Sequence, residues 1–222
     1  YLPLTPDEIQ LEAILTGPAS DAVLGHDDLG RDILDRMIVG ARTSFLVSVW
    51  VVGLSLLAGT VIGTARAFLG GWCYRLTVLL VDVFLAFPGF LLAFALAGLL
   101  GPGIDIVVIA LTIVGWVGYA RLSRAQVLSL RHREHVQAAE ALGTGKWAIM
   151  RKHLLPLMAA PLIVEATFGI AAVVIAEAGL SFLGLGVQPP EASWGAMIRD
   201  GTRYMLVAPH MVVSPGVALC AV

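Results

Sequence analysis

The chain has 222 residues, of which 58% are hydrophobic and 14% are charged, and its mean hydropathy is +0.88. This composition is far more apolar than that of soluble domains, so it excludes an ordinary soluble globular protein and predicts a membrane protein. The net charge of -2 gives no electrostatic argument for a nucleic-acid partner.

The N-terminal residues 1–42 are predicted to form an extracytoplasmic segment. Within it, the stretch DDLGRDILDRMIVGAR at 27–42 has apolar residues at helical spacing and charged residues on the opposite face. This pattern predicts a helix that lies at the membrane interface before the first span.

Apolar runs of sufficient length to cross a bilayer follow, since a span needs about 20 predominantly apolar residues. In chain order they are Ser44–Ala65, Leu76–Leu100, Ile104–Ala120, Leu154–Ala178 and a run that begins near Ala208. Pro88 is expected to kink the second run. The runs predict an all-α, polytopic membrane protein whose residues 43–222 form the transmembrane domain. Because the last run stops at Val222 without a polar flank, we expect a piece of a longer protein, with six spans in the full chain.

The distribution of basic residues predicts the orientation, because cytoplasmic loops are enriched in Lys and Arg. The connections at 66–75 and 121–153 hold nine of the 14 Lys and Arg residues. These are Arg66, Arg75, Arg121, Arg124, Arg131, Arg133, Lys146, Arg151 and Lys152. We therefore place the loop 121–156 in the cytoplasm and the loop 179–207 outside. Gly and Pro interrupt residues 179–198, which predicts a folded outer loop or a re-entrant cap.

Three carboxylates fall inside the predicted spans: Asp82, Glu165 and Glu177. A carboxylate at membrane depth faces a cavity, a partner or the end of a span. Glu165 and Glu177 are separated by about 1200° of helix and do not form a paired acid site. The expected role of all three is to line a translocation pathway or to make an interhelical hydrogen bond.

Several patterns resemble site motifs without meeting their requirements. GTGK at 143–146 lacks the first Gly and the final Ser or Thr of a phosphate-binding loop, so ATP is not expected to bind there. HREH at 132–135 lacks the spacing of a zinc site. Gly59 and Gly63 match the small-residue motif of tightly packed membrane helices. No catalytic or metal-ligating set is predicted.

The largest predicted cytoplasmic loop contains a polar stretch, EHVQAAEALGTGKWAIMRKHLLP at 134–156. Good helix formers fill Glu134–Leu142, and Gly143 is a natural end because Gly accepts the left-handed conformation. Ala138 and Ala139 allow another protein's surface to approach the backbone closely. The stretch therefore predicts a short docking helix joined to two spans.

This stretch resembles the EAA signature of permease subunits of binding-protein-dependent ABC importers. The similarity consists of Gln137-Ala138-Ala139, Gly143 and the sequence HLLP at 153–156, with Gln137 in place of the usual Glu. Three further stretches resemble the C-type permease of dipeptide, oligopeptide and nickel importers: LGHDDLGRDILDRMIVGAR at 24–42, DVFLAFP at 82–88 and EAGLSFLGLGVQPPEASWGAMI at 177–198.

The resemblance implies a transport subunit and no enzyme. Its implied partners are a second permease subunit, two ATPase subunits that bind ATP and Mg²⁺, an extracytoplasmic binding protein and the lipid of a bacterial or archaeal plasma membrane. Residues 134–145 would be the coupling helix, with contacts to an ATPase from Glu134, Gln137, Ala138, Ala139, Leu142, Gly143 and Lys146.

The cargo and two other classes of function stay open at this point. The resembled group favours peptides, with nickel or another small solute as the alternative. An ion-coupled secondary transporter would explain the acids in the spans, but it leaves the docking helix without a role. A membrane-embedded enzyme has no supporting residue spacing.

Overall fold

A computed structural model describes residues 4–20, 22–69 and 71–222, with the side chains of 68–74 left out. Apart from one isolated bridge between His26 and Asp32, its regular structure is helical, which confirms the all-α prediction. The helices are α1 (Ile33–Leu69), α2 (Gly71–Ala86), α3 (Gly89–Leu100), α4 (Ile104–Leu130), α5 (Glu134–Ala141), α6 (Lys146–Ile149), α7 (Leu155–Phe182), α8 (Trp194–Thr202) and α9 (His210–Cys220). A 3-10 turn at Leu11–Ala13 precedes them, and a π-helical turn at Met150–Leu154 joins α6 to α7.

Among the described residues, three helical runs are long and apolar enough to cross a membrane: Ile33–Ala67, Ile104–Leu130 and Lys146–Phe182. They contain the first, third and fourth predicted spans and extend beyond them. The shorter apolar helix α9 has 11 residues, so the fifth span stays a prediction.

The second predicted span is a bent pair of helices. Its two parts, Arg75–Ala86 and Gly89–Leu100, meet at an angle of 89°. The break includes Pro88, which confirms the predicted kink: proline disfavours a helical conformation in the residue before it. A bend of this size makes the pair either a broken span or a re-entrant loop.

The predicted interfacial helix is not a separate element. α1 runs without a break from Ile33 to Leu69, so its 37 residues extend about 55 Å. Gly40 does not interrupt it, and a β-carbon at this position would lie 3.3 Å from Cδ1 of Trp194. The amphipathic pattern therefore marks the first turns of a long helix, and packing against Trp194 explains the small residue there.

The described residues form two compact units. Unit 1 consists of the chain up to Trp50, Ala93–Ala110 and Ile170–Val222. Unit 2 consists of Val51–Leu92 and Leu111–Gly169. The helices α1, α3, α4 and α7 contribute residues to both.

The core of unit 1 is built around α8 and α9. One buried apolar cluster there consists of Ile33, Met197, Ala208 and Met211. The indole nitrogen of Trp194 donates a 3.0 Å hydrogen bond to the carbonyl oxygen of Met37, which joins α8 to α1. Gly195 lies against the backbone of Ala178 in α7, where a β-carbon would overlap it. The predicted loop 179–198 is therefore folded, and its second half begins a helix.

A buried charge network holds the N-terminal segment of unit 1 against α1. Asp27 accepts 2.9 Å hydrogen bonds from the backbone nitrogens of Leu29 and Arg31 and a 2.7 Å bond from Nε of Arg31. Arg36 lies 3.6 Å from the same carboxylate and 3.3 Å from that of Asp7. Burial of these charges is tolerable because each has a partner.

The neighbouring Asp28 predicts a pH dependence of stability. Burial raises the pKa of its carboxyl above the ordinary value; repulsion from Asp27 and Asp200 adds to the rise, while Arg31 opposes it. Because the folded state then favours the protonated form, the stabilisation is present at acid pH and is lost as the pH rises through the raised pKa. Asp28→Asn imitates the protonated group and is expected to raise the unfolding temperature at about pH 7 but not below about pH 4. Thermal unfolding in detergent measures this, with the exposed Glu12→Gln as control; equal shifts at both pH values would contradict it.

Unit 2 contains a close contact between α1 and α4. A β-carbon on Gly59 would lie 2.5 Å from the carbonyl oxygen of Trp116, and one on Gly63 would overlap the carbonyl oxygen of Ala120. This confirms the predicted small-residue packing at both glycines. A ring contact with centroids 5.6 Å apart also joins Trp116 to Phe84 in α2.

This contact predicts an unequal response to two identical substitutions in α1. Gly63→Ala is expected to destabilise the protein by about 1–3 kcal/mol, because the new methyl group has to push the two backbones apart. Gly53→Ala is the matched control, since nothing lies within 4 Å of a β-carbon there. Thermal unfolding in detergent compares the two variants, and an equal change in both would refute the packing role of Gly63.

Candidate functional site

The helix predicted over Glu134–Leu142 is present as α5 and lies in unit 2, while its docking role stays a prediction. Val136 is its one buried residue, with 2% of its surface exposed, and it fixes one face of the helix to the unit. On the remaining faces Gln137 and Ala138 are exposed and Ala139 is half-buried. The exposed surface of the helix therefore combines the small side chain of Ala138 with polar side chains such as Gln137.

The helix ends in the conformation that Gly143 was predicted to adopt. Gly143 has a φ of +80°, its nitrogen donates to Glu140 at 2.9 Å and the nitrogen of Thr144 donates to Ala139 at 3.0 Å. This pair of bonds is the Schellman arrangement, which satisfies two of the last carbonyl groups of the helix. The chain reverses sharply there and leaves Leu142 86% exposed.

The segment after the turn is attached firmly to the following helix. Trp147 is 76% exposed, whereas Ile149, Met150 and Leu154 are buried. The ring of His153 in the π-helical turn lies 6.1 Å from the ring of His135 in α5, measured between centroids. α5 therefore contacts the base of the helical run that continues into α7.

A cavity of about 370 Å³ lies beside α5. Gln137, Glu140 and Lys146 line it together with Arg131 and His132. The predicted contact residues Gln137 and Lys146 thus border one recess, whereas Leu142 is not among its lining residues. Glu134 is exposed at the first turn of α5.

The predicted pathway acids Asp82 and Glu165 are both exposed, and both lie in unit 2. Asp82 lines a cavity of about 580 Å³ whose other charged lining residues are Arg66, Arg121 and Arg124. The sequence pattern did not connect these arginines with Asp82, because they come from different helices.

Glu177 differs from these two acids because it has no exposed surface. Its carboxylate accepts a 2.7 Å hydrogen bond from the hydroxyl of Ser44 in α1 and a 2.6 Å bond from Ser181 in its own helix. The Ser181 hydroxyl in turn accepts from the backbone nitrogen of Val187 at 3.1 Å. The interhelical hydrogen bond weighed for Glu177 is therefore present, and a pathway role stays a prediction.

Comparison with known proteins identifies the family of this chain. Residues 24–222 match the family described as binding-protein-dependent transport system inner membrane component. The chain belongs to this family. It is thus a permease subunit of an ABC importer, a transport protein of the membrane and not an enzyme.

Related proteins are identical to this permease at more than a third of the aligned positions. It is 37% identical to the glutathione transport system permease protein GsiD of Pectobacterium atrosepticum over 203 residues, which cover 91% of this chain and 67% of that protein. It is 39% identical to the dipeptide transport system permease protein DppC of Alkalihalophilus pseudofirmus over 208 residues, covering 94% and 68%.

The fold of the permease also resembles that of a solved ABC importer. An inward-facing crystal form of the MetNI methionine ABC transporter superposes with a TM-score of 0.68 and 18% sequence identity, covering 83% of this chain and 88% of the other. A second crystal form gives a TM-score of 0.67. Permeases of this class work together with ATPase subunits and a second permease subunit.

Proposed function

We propose that this permease forms half of the translocation pathway of an ATP-driven peptide importer in a bacterial or archaeal plasma membrane, which it crosses several times. A second permease subunit would complete the pathway, and an extracytoplasmic binding protein would deliver the cargo. Two ATPase subunits would bind ATP and Mg²⁺. Peptides are favoured as cargo because related permeases are named for dipeptide and glutathione transport.

In this proposal residues 134–145 couple the permease to an ATPase. The observation that carries it is a short helix whose one buried residue is Val136, with Leu142 at 86% exposure at its end. Leu142 and Trp147 together expose two large apolar side chains within one short polar segment, and exposed apolar patches mark interaction sites. Closure of the ATPase dimer would then move α5 as a rigid body and change the side on which the pathway opens.

The docking part is tested with a photoreactive benzophenone side chain placed at Leu142 in the assembled importer. We expect irradiation to join the permease to an ATPase subunit. The same side chain at Leu99, which is 84% exposed but distant in sequence from the coupling segment, provides the control. Capture of lipid alone at both positions would overturn the docking role.

The energy source and the cargo need separate measurements. ATP-driven import predicts uptake that stops on ATP depletion and continues when ion gradients are dissipated; the opposite result would indicate a secondary transporter. Calorimetry of the partner binding protein against peptides and against Ni²⁺ identifies the cargo. Binding of Ni²⁺ without binding of peptides would replace peptides by nickel in the proposal.

A further inference from the structure

Unit 1 contains a cavity that the coupling mechanism does not use. Its volume is about 730 Å³, within the range of about 300–1,000 Å³ that small-molecule sites occupy. Its lining comes from the N-terminal segment, one face of α1, the first turns of α4 and the loop before α8. All of these residues belong to unit 1, so the cavity is a property of this unit.

Charged groups of both signs border the cavity without neutralising one another. Arg42 comes from α1, Asp105 from the start of α4 and Glu191 from the loop before α8. In the described part of the chain, none of these three takes part in an ion pair within 4.0 Å. A fourth charge, Asp7, is already compensated by Arg36 at 3.3 Å. The cavity therefore presents one cationic and two anionic groups to a ligand.

The same α1 face that carries Arg42 adds an apolar wall. Leu46, Val47 and Trp50 line the cavity one to two turns further along the helix. Leu46 is 47% exposed and Trp50 is 63% exposed, so both offer uncovered apolar area. An indole provides a large, rigid contact surface for an apolar side chain of a ligand.

We propose that this cavity is a receiving site for a zwitterionic peptide, whose carboxylate binds Arg42, whose ammonium group binds Asp105 or Glu191 and whose side chain packs against Trp50. The inference rests on the proposed peptide import and assigns part of the peptide recognition to this subunit. A purely anionic or purely cationic ligand would bring a like charge next to one of these groups. Among the described residues no three His, Cys, Asp or Glu side chains are placed to share a metal ion, so the acids here do not form a metal site.

The location is tested by photolabelling the assembled importer without its binding protein. The probe is a tripeptide with free termini, alanyl-benzoylphenylalanyl-alanine, added to proteoliposomes. We expect the label on Leu46 or Trp50, and we expect excess trialanine to prevent it. Labelling that avoids the residues of this cavity, or that trialanine does not reduce, would overturn the proposal.

The charge contacts are tested by measuring how variants of the site bind peptides in which one terminus has been neutralised. In the wild type, amidation of the peptide carboxylate is expected to weaken binding five- to tenfold. Arg42→Gln should bind the unmodified peptide five- to tenfold more weakly and should no longer distinguish it from the amide. Arg42→Lys, which keeps the charge, should restore most of the discrimination. The double variant Asp105→Asn, Glu191→Gln should lose discrimination against N-acetylation only.

Two kinds of control are needed for the discrimination against modified peptides. One tests whether loss of any surface charge has the same effect, and the other tests the proposed function itself. Arg203→Gln and Glu12→Gln change exposed residues of unit 1 that do not line the cavity, so binding should be unaltered. An unchanged amide penalty in an assembled Arg42→Gln importer would overturn the receiving site while ATP-driven uptake persists. Uptake that does not depend on ATP would instead refute the proposed function, even with the labelling intact.

Discussion

Gly143→Val is expected to reduce ATP-driven uptake at least tenfold while the permease still inserts into the membrane. The φ of +80° is a conformation that costs a residue with a side chain about 1–2 kcal/mol, and β-branching adds to the strain. Nothing lies within 4 Å of a β-carbon at this position, so the substitution creates no internal clash. Its effect should come from distortion of the helix end that we propose docks to the ATPase. An uptake assay measures the loss of transport. Co-purification of the ATPase subunits measures the loss of docking.

Two companion variants separate conformation from bulk. Asparagine tolerates the left-handed region, so Gly143→Asn should keep more uptake than Gly143→Val. Gly145 has a φ of -63° and also has open space around it, so Gly145→Val adds the same side chain without the strain. Normal ATPase association together with normal uptake in Gly143→Val would refute the coupling role.

Glu177→Ala is expected to lower the free energy of unfolding by about 2–4 kcal/mol. The substitution removes the acceptor for the hydroxyls of Ser44 and Ser181 and leaves an empty space inside unit 1. Glu177→Gln keeps a carbonyl acceptor in the same place and should cost less. Thermal or denaturant unfolding in detergent measures both.

The matched control lies in the same helix. Glu165 is exposed, so Glu165→Ala should change stability by less than about 0.5 kcal/mol. Equal losses from Glu165→Ala and Glu177→Ala would show that the buried hydrogen bonds contribute nothing. A loss of uptake in Glu165→Ala at unchanged stability would favour its predicted place on the pathway.

The features that could be predicted from the sequence depend on neighbouring residues. Gly143 ends α5 because its own backbone accepts a conformation that other residues avoid, and the break at Pro88 follows from a local steric clash. The approach of α1 to α4 at Gly63 could be anticipated because small residues one turn apart favour helix contact. In these cases the chemistry of a few adjacent positions decides the outcome.

The features that could not be predicted depend on residues distant in the chain. Ser44 and Glu177 are 133 positions apart, and nothing in either local pattern indicates that they bond. The cavity that joins Arg42, Asp105 and Glu191 is assembled from separate segments of unit 1. The length of α1 was missed for a related reason: an amphipathic stretch and an apolar stretch differ in pattern, yet no residue between them stops a helix.

The π-helical turn at Met150–Leu154 sets the direction in which the coupling segment faces. A π-helical turn contains about one residue more than an α-helical turn, and each residue of helix corresponds to about 100° of rotation. Converting Met150–Leu154 to ordinary α-helix without deleting a residue would therefore add rotation, and Trp147 would face a different direction around the axis of α7. Such a conversion would keep every side chain of residues 134–145 and turn them away from the ATPase that we propose they contact.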